Sequence, residues 1–242
     1  IVWTMRGWDP AISVEEILTD YARFFFGPEA ADTAVDGILG LENNWVGTLA
    51  DNTGVDDTWT LWSRLESAHP ELEENWRWQL LLLRAYYDRY IRARLTNETA
   101  LEENAYGALA TGGSVGANAA MDSAAAFLAQ PDTAPVQAAL RTRIEDLCEA
   151  LFESIGLQTS VSSPYVAAGL ERGAILDTVD WPVNNRWWLE NRFAAIRALA
   201  TEQEKLAAIS VILNWENPGA GGYYDDLGNA AKQPHLVQQL PW

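Results

Sequence analysis

Basic residues are scarce in this chain of 242 residues. Sixteen Lys and Arg stand against 34 Asp and Glu, a formal charge of −18. Phosphate recognition depends on clustered cations, so DNA, RNA and anionic membrane surfaces are not expected as partners. Cysteine is rarer still. Cys148 is alone, which excludes an internal disulfide and leaves the redox compartment open. It sits in EDLCEALF, among acids that disfavour a thiolate, and reads as a packing residue. Long apolar runs are missing too. The longest, LLLL at 80–83, lies between Arg77 and Arg84, well short of the roughly 18 residues that span a bilayer.

The chemistry-bearing motifs are also thin. His69 and His235 are the two histidines, far apart and each beside a proline. With no H-E-x-x-H and no Cys cluster, no metal site and no cofactor is expected. PGAGGYYD has neither the Lys nor the following helix of a phosphate loop. Gly112-Gly113-Ser114-Val115-Gly116 satisfies G-x-S-x-G, with His235 downstream. That motif needs a strand–turn–helix elbow above a parallel sheet. The preceding ETALEENAYGALA is helical, so the segment reads as a glycine C-cap followed by Ser114 as an N-cap. Glu149/Glu153 share a helix face as solvated surface, and the adjacent Asp225/Asp226 point to opposite sides of an extended chain. No catalytic residue is assigned.

What is present is helix. Ser13-Val-Glu-Glu16 has the spacing of a capping box, opening a helix that stops at Gly27-Pro28. A second carries Ala31, Ala34, Ile38, Leu41 and Trp45 at helical spacing, and its Gly37 and Gly40 suggest a close helix crossing. A third runs from about 56 to 68 with Trp59, Trp62 and Leu65 on one face. The fourth, from about 72 to 96 and as far as 110, has Trp76, Leu80, Leu83, Tyr87, Tyr90 and Ile91 as its stripe. Further helices are expected over about 115–129 and 134–157, the latter with Leu140, Ile144, Leu147, Leu151 and Ile155 inward. Residues 159–185 read as a long irregular insertion. Helix resumes at Asn184 or Asn185, and Thr201-Glu-Gln-Glu204 caps a last one ending near Trp215.

IVWTM at the start reads differently: a β-branched and aromatic strand, followed by a Gly-Trp-Asp-Pro turn. A lone strand cannot satisfy its backbone. The expectation is a remnant whose sheet belongs to a preceding domain of a longer polypeptide. The fold class is therefore all-α, a multi-helix bundle or partial α/α array of about seven or eight helices. The organisation is a remnant strand and loop at 1–12, a helical domain at 13–215, and a Gly-rich irregular tail at 216–242.

Tryptophan is the compositional excess, 12 in 242 residues. Indoles stack on sugar faces while Asn, Asp and Arg bond hydroxyls. Asn43, Asn44 and Trp45 combine these groups, as do Asn184, Asn185, Arg186, Trp187 and Trp188 at a loop-to-helix junction. In the tail, Tyr223 and Tyr224 could form a wall, with Asp225 and Asp226 accepting hydroxyls or a cation. Against these stand a core-filling role for helical Trp residues, above all Trp59, Trp62, Trp76 and Trp78, and a lid-forming role for the tail. Removing the Trp187 or Trp188 ring is expected to weaken sugar binding without unfolding the domain.

EEILTDYARFFFGPEAAD resembles the helix that follows the catalytic barrel in α-glucuronidases and α-N-acetylglucosaminidases, over roughly residues 1 to 32. IVWTMRGWDP would then suit a last barrel strand and its loop. The remainder, including NWENPGAGGYYDDLGN, is similar to C-terminal regions of large bacterial glycoside-hydrolase-like proteins. The resemblance implies catalytic acids upstream of any matching position, so none is carried over. It implies an accessory, cleft-lining helical domain of a carbohydrate-active enzyme, with an oligosaccharide and an adjacent catalytic domain as partners. A secreted or periplasmic location follows from the carbohydrate reading alone. Two other classes stay open: a self-sufficient α/α-toroid glycosidase or polysaccharide lyase, and a protein-interaction scaffold.

Overall fold

The computed structural model describes residues 1–157 and 186–214. Over these residues the chain is all-α, with no strand among them. The first helices are α1 (Val2–Trp8), α2 (Val14–Phe26), α3 (Pro28–Asn43) and α4 (Gly54–Ala68), and then a 3₁₀ turn at Pro70–Leu72. The long α5 (Trp76–Ala110) is followed by α6 (Gly112–Val115), α7 (Ala117–Leu128), α8 (Gln130–Thr133) and α9 (Ala138–Ile155). The last two are α10 (Arg186–Arg197) and α11 (Glu202–Leu213). Helices α1 to α4, residues 76–92 of α5, and α9 form one compact unit. Residues 93–110 of α5 belong to a second unit with α6–α8, α10 and α11.

The expected N-terminal strand is a helix. No strand among the described residues can take up the amides and carbonyls of an extended ribbon, and unpaired groups are costly. The backbone bonds to itself instead: the Met5 N–H donates to the Ile1 carbonyl at 3.0 Å, and the Asp9 N–H to Met5 at 2.8 Å. Asp9, extended ahead of Pro10, ends the helix. Helix α1 buries none of its residues, and Trp3 and Trp8 are 93% and 91% exposed.

In the first unit, Ser13 Oγ accepts the Glu16 N–H at 3.1 Å and starts α2. Gly27, at φ +86°, turns the chain directly into Pro28 at the first position of α3. The inner face of α3 is built of small residues, Ala30, Ala31, Ala34 and Gly37, which lets α4 approach closely. A Cβ on Gly37 would lie 2.7 Å from Trp62 Cε2, and one on Gly40 would lie 2.8 Å from Thr58 Oγ1. The crossing expected at these glycines is therefore present. Trp62, Trp78 and Phe26 make the aromatic centre, with ring centroids 5.3 Å apart for Trp62–Trp78 and 5.1 Å for Phe26–Trp78.

Helix α5 buries Tyr90 and Ile91 as its sequence suggests, but before them a different stripe turns inward. Trp78, Leu82, Ala85, Tyr86, Tyr90 and Ile91 are buried, while Trp76, Leu80, Leu83 and Tyr87 are half-buried. WQLLLL offers two apolar stripes offset by two positions, and contact with Phe26 and Trp62 selects the one containing Trp78. On α9, Leu140, Ile144, Leu147 and Leu151 are buried as expected, joined by Cys148; Ile155, at the helix end, is exposed.

The second unit has its own core of Ala105, Leu109, Met121, Leu128, Trp188, Leu189, Phe193, Ile196, Ile209 and Ile212, drawn from α5, α7, α10 and α11. Ser114 is not an N-cap: it lies inside α6, its hydroxyl donating to the Thr111 carbonyl at 2.8 Å. Gly116, at φ +93°, separates α6 from α7, a conformation that suits glycine and not serine. Gly112 and Gly113 sit in a helical turn and do not cap α5.

Candidate functional site

Asn43, Asn44 and Trp45 close the end of α3, and the three side chains take separate roles. Asn44 turns inward, 3% exposed, and its Nδ2 donates to Asp88 Oδ2 at 2.9 Å. Arg84, one turn before Asp88 on α5, reaches the same carboxylate, with Nε 2.8 Å from Oδ1. The Arg84 guanidinium then lies over the Trp45 ring, 4.2 Å from its centroid. Trp45 itself is 69% exposed. Burial pushes the Asp88 carboxyl above the usual carboxylate range, against the pull of Asn44 and Arg84. The loop behind is tied by Asn52 Nδ2, which donates to the Asn43 carbonyl at 2.9 Å. The result is an open indole on a buried polar mount. An aromatic face beside a cation and an amide is suited to contact with hydroxylated ligands.

A second polar site is enclosed by the C-terminus of α4, the 3₁₀ turn, α5 and α9. It is a cleft of about 210 Å³ lined by Glu66, His69, Pro70, Glu73, Trp78, Leu82 and Arg143. Glu66 is the hub. Its Oε1 accepts Arg143 Nη2 at 2.6 Å and Nε at 2.9 Å, and its Oε2 accepts the Tyr86 hydroxyl at 2.5 Å. Burial, reinforced by the Glu66 carboxylate, drives the Tyr86 hydroxyl far above its ordinary range, so it remains a donor. His69 caps α4, and its Nδ1 sits 2.9 Å from Glu71 Oε1. Backbone and His69 hydrogen bonds hold the Glu71 carboxyl below the usual range. An ionised carboxylate only accepts, so Nδ1 is the donor in this contact. His69 also lines a shallower groove of about 600 Å³, with Thr33, Asp57, Thr60 and Arg64 on its walls.

Elsewhere the expected ligand residues are engaged otherwise. Arg186 donates to both oxygens of Asp132, at 2.9 and 2.6 Å, and to Glu190 at 2.9 Å. These bonds raise the Arg186 pKa and hold the Asp132 carboxyl low, and they tie α10 to α8. Trp188 is 2% exposed inside the second core, which removes its indole as an open sugar platform. It lines an apolar cleft of about 280 Å³ between α10 and α11, with Arg192, Ile196, Leu199, Val211 and Ile212. Trp187 belongs to α10, but its side chain lies outside the described residues, as do Asn184, Asn185, Tyr223, Tyr224, Asp225 and Asp226.

Sequence reasoning missed Glu66, Tyr86 and Arg143, because they come from three helices and no spacing links them. It also missed Arg94, Glu98 and Glu102, which are buried at successive turns of α5, with Arg94 Nε 2.7 Å from Glu98 Oε1. Glu98 and Glu102 are an i, i+4 acid pair that is not solvated surface. Among the described residues no group of three or more His, Cys, Asp or Glu is placed to hold a metal ion, and no helix is long and apolar enough to cross a membrane. Set against protein-family models, curated proteins and solved structures, the chain matches none.

Proposed function

We propose that this chain is an accessory helical domain of a larger carbohydrate-active protein, contacting an oligosaccharide and carrying no complete catalytic set. The observation that supports it is Trp45. Its indole stands 69% exposed, and Arg84, fixed by a buried carboxylate, backs it. A rigid aromatic face open to solvent beside a fixed cation is what sugar contact needs. The exposed Trp3 and Trp8 on α1 support the second half of the proposal, since that helix buries none of its residues and leaves both indoles open to an adjacent domain.

Affinity electrophoresis of the 242-residue chain through gels containing xylan, glucomannan or a uronic-acid polysaccharide tests the first half. Retardation by one of these polymers is expected, together with its loss in Trp45→Ala. Equal mobility of parent and variant in every gel would remove the proposal.

A further inference from the structure

We infer that the Glu66–His69–Glu73–Arg143 cleft is a binding site for a small, neutral, polyhydroxylated ligand the size of one sugar ring. Its wall carries both signs of charge within about 210 Å³: the carboxylates of Glu66 and Glu73 and the guanidinium of Arg143. A simple anion would meet two carboxylates there, and a simple cation would meet Arg143. Hydroxyl groups both donate and accept, so a polyol satisfies carboxylate and guanidinium together without net charge. Pro70 is the exposed apolar part of the lining, with Trp78 and Leu82 buried behind it, and suits C–H groups of such a ring.

A zwitterion, such as a free amino acid, is the competing occupant. The side-on edge of Arg143, Nε with Nη2, is the edge that grips carboxylates in parallel bonds. Here both of its donors already go to one oxygen of Glu66. What remains of the fork suits single bonds to hydroxyls. Glu66 in turn is pinned by the Tyr86 hydroxyl, so the wall is set before a ligand arrives. The site is separate from Trp45 and stands on its own donors and acceptors.

The ring protons of the two histidines give a direct readout. In proton NMR of the full chain the His69 signal is assigned by its persistence in His235→Ala. Titration with D-xylose and D-glucose should move that signal saturably at millimolar sugar, whereas glycine, spermidine and inorganic phosphate should leave it in place. Glu73→Gln, at an exposed position, should weaken the sugar response about tenfold or more, the range for a lost hydrogen bond to a charged group. Trp45→Ala should leave the His69 response unchanged, which separates this site from the platform at Trp45. An unmoved His69 signal with both sugars overturns the inference. So does a stronger response to glycine, or a Glu73→Gln chain that binds as the parent does.

Discussion

The indole N–H of Trp62 donates to the carbonyl of Gly37 at 3.1 Å, across the crossing of α4 on α3. The bond requires the missing side chain. A methyl group at Gly37 would sit 2.7 Å from the same ring, inside van der Waals contact. Gly37→Ala should therefore destabilise the first unit by about 1–3 kcal/mol, the usual cost of overpacking. Gly107→Ala, where a Cβ meets nothing within 4 Å, should stabilise α5 by up to about 1 kcal/mol. Urea unfolding of both variants checks the pair, and equal effects would contradict this packing.

Trp188 and Trp45 should respond in opposite ways to truncation. Trp188 is sealed in the second core, so Trp188→Ala should cost about 3–5 kcal/mol and unfold that unit first. Trp45→Ala loses a stacked guanidinium at an exposed ring, a cost of about 1 kcal/mol or less. Thermal unfolding followed by circular dichroism separates them, and a Trp188→Ala chain as stable as the parent would contradict the burial.

Asp88 gives stability a dependence on pH. Burial raises its folded pKa, so between the unfolded value, about 3.9, and the folded one the native chain holds a proton that the unfolded chain has released. Its contribution is fully present below the unfolded value and is lost as pH rises through the folded value. The stability difference between the parent and Asp88→Asn should therefore shrink from acid to neutral pH. Denaturant titrations across that range check the sign; a difference that grows with pH would reverse it.

Thr201 makes a reciprocal cap on α11. Its hydroxyl accepts the Glu204 N–H at 3.2 Å, and Glu204 Oε2 accepts the Thr201 N–H at 2.9 Å. Thr201→Ala should cost about 0.5–2 kcal/mol, read by denaturant unfolding of the second unit.

That cap was legible in four letters of sequence, as were Gly27-Pro28, the glycine crossing and the inward face of α9. Such features are local: a side chain within four residues, a φ angle, a helical period. The failures are also instructive. IVWTM has strand propensity, but propensity yields where no neighbouring strand takes the hydrogen bonds. On α5 an unbroken apolar run hid which stripe faces inward, and only Phe26 and Trp62 decide it. At the candidate sites, Trp45 could be picked out as an aromatic beside amides, whereas its support, Arg84 on Asp88, lies about 40 residues along the chain. The Glu66 cleft was invisible because Glu66, Tyr86 and Arg143 meet only after three helices pack. Trp188 shows the opposite error, since an Asn–Arg–Trp cluster reads as a ligand site while the fold uses its arginine and one indole for packing.

The most direct test of carbohydrate contact is a nitrogen–proton NMR titration of the indole signals, with Trp45 assigned by Trp45→Phe. Xylo-, manno- and glucurono-oligosaccharides should include at least one that shifts the Trp45 indole saturably while the buried Trp62 indole stays fixed. A Trp45 signal unmoved by all three would contradict the proposed function.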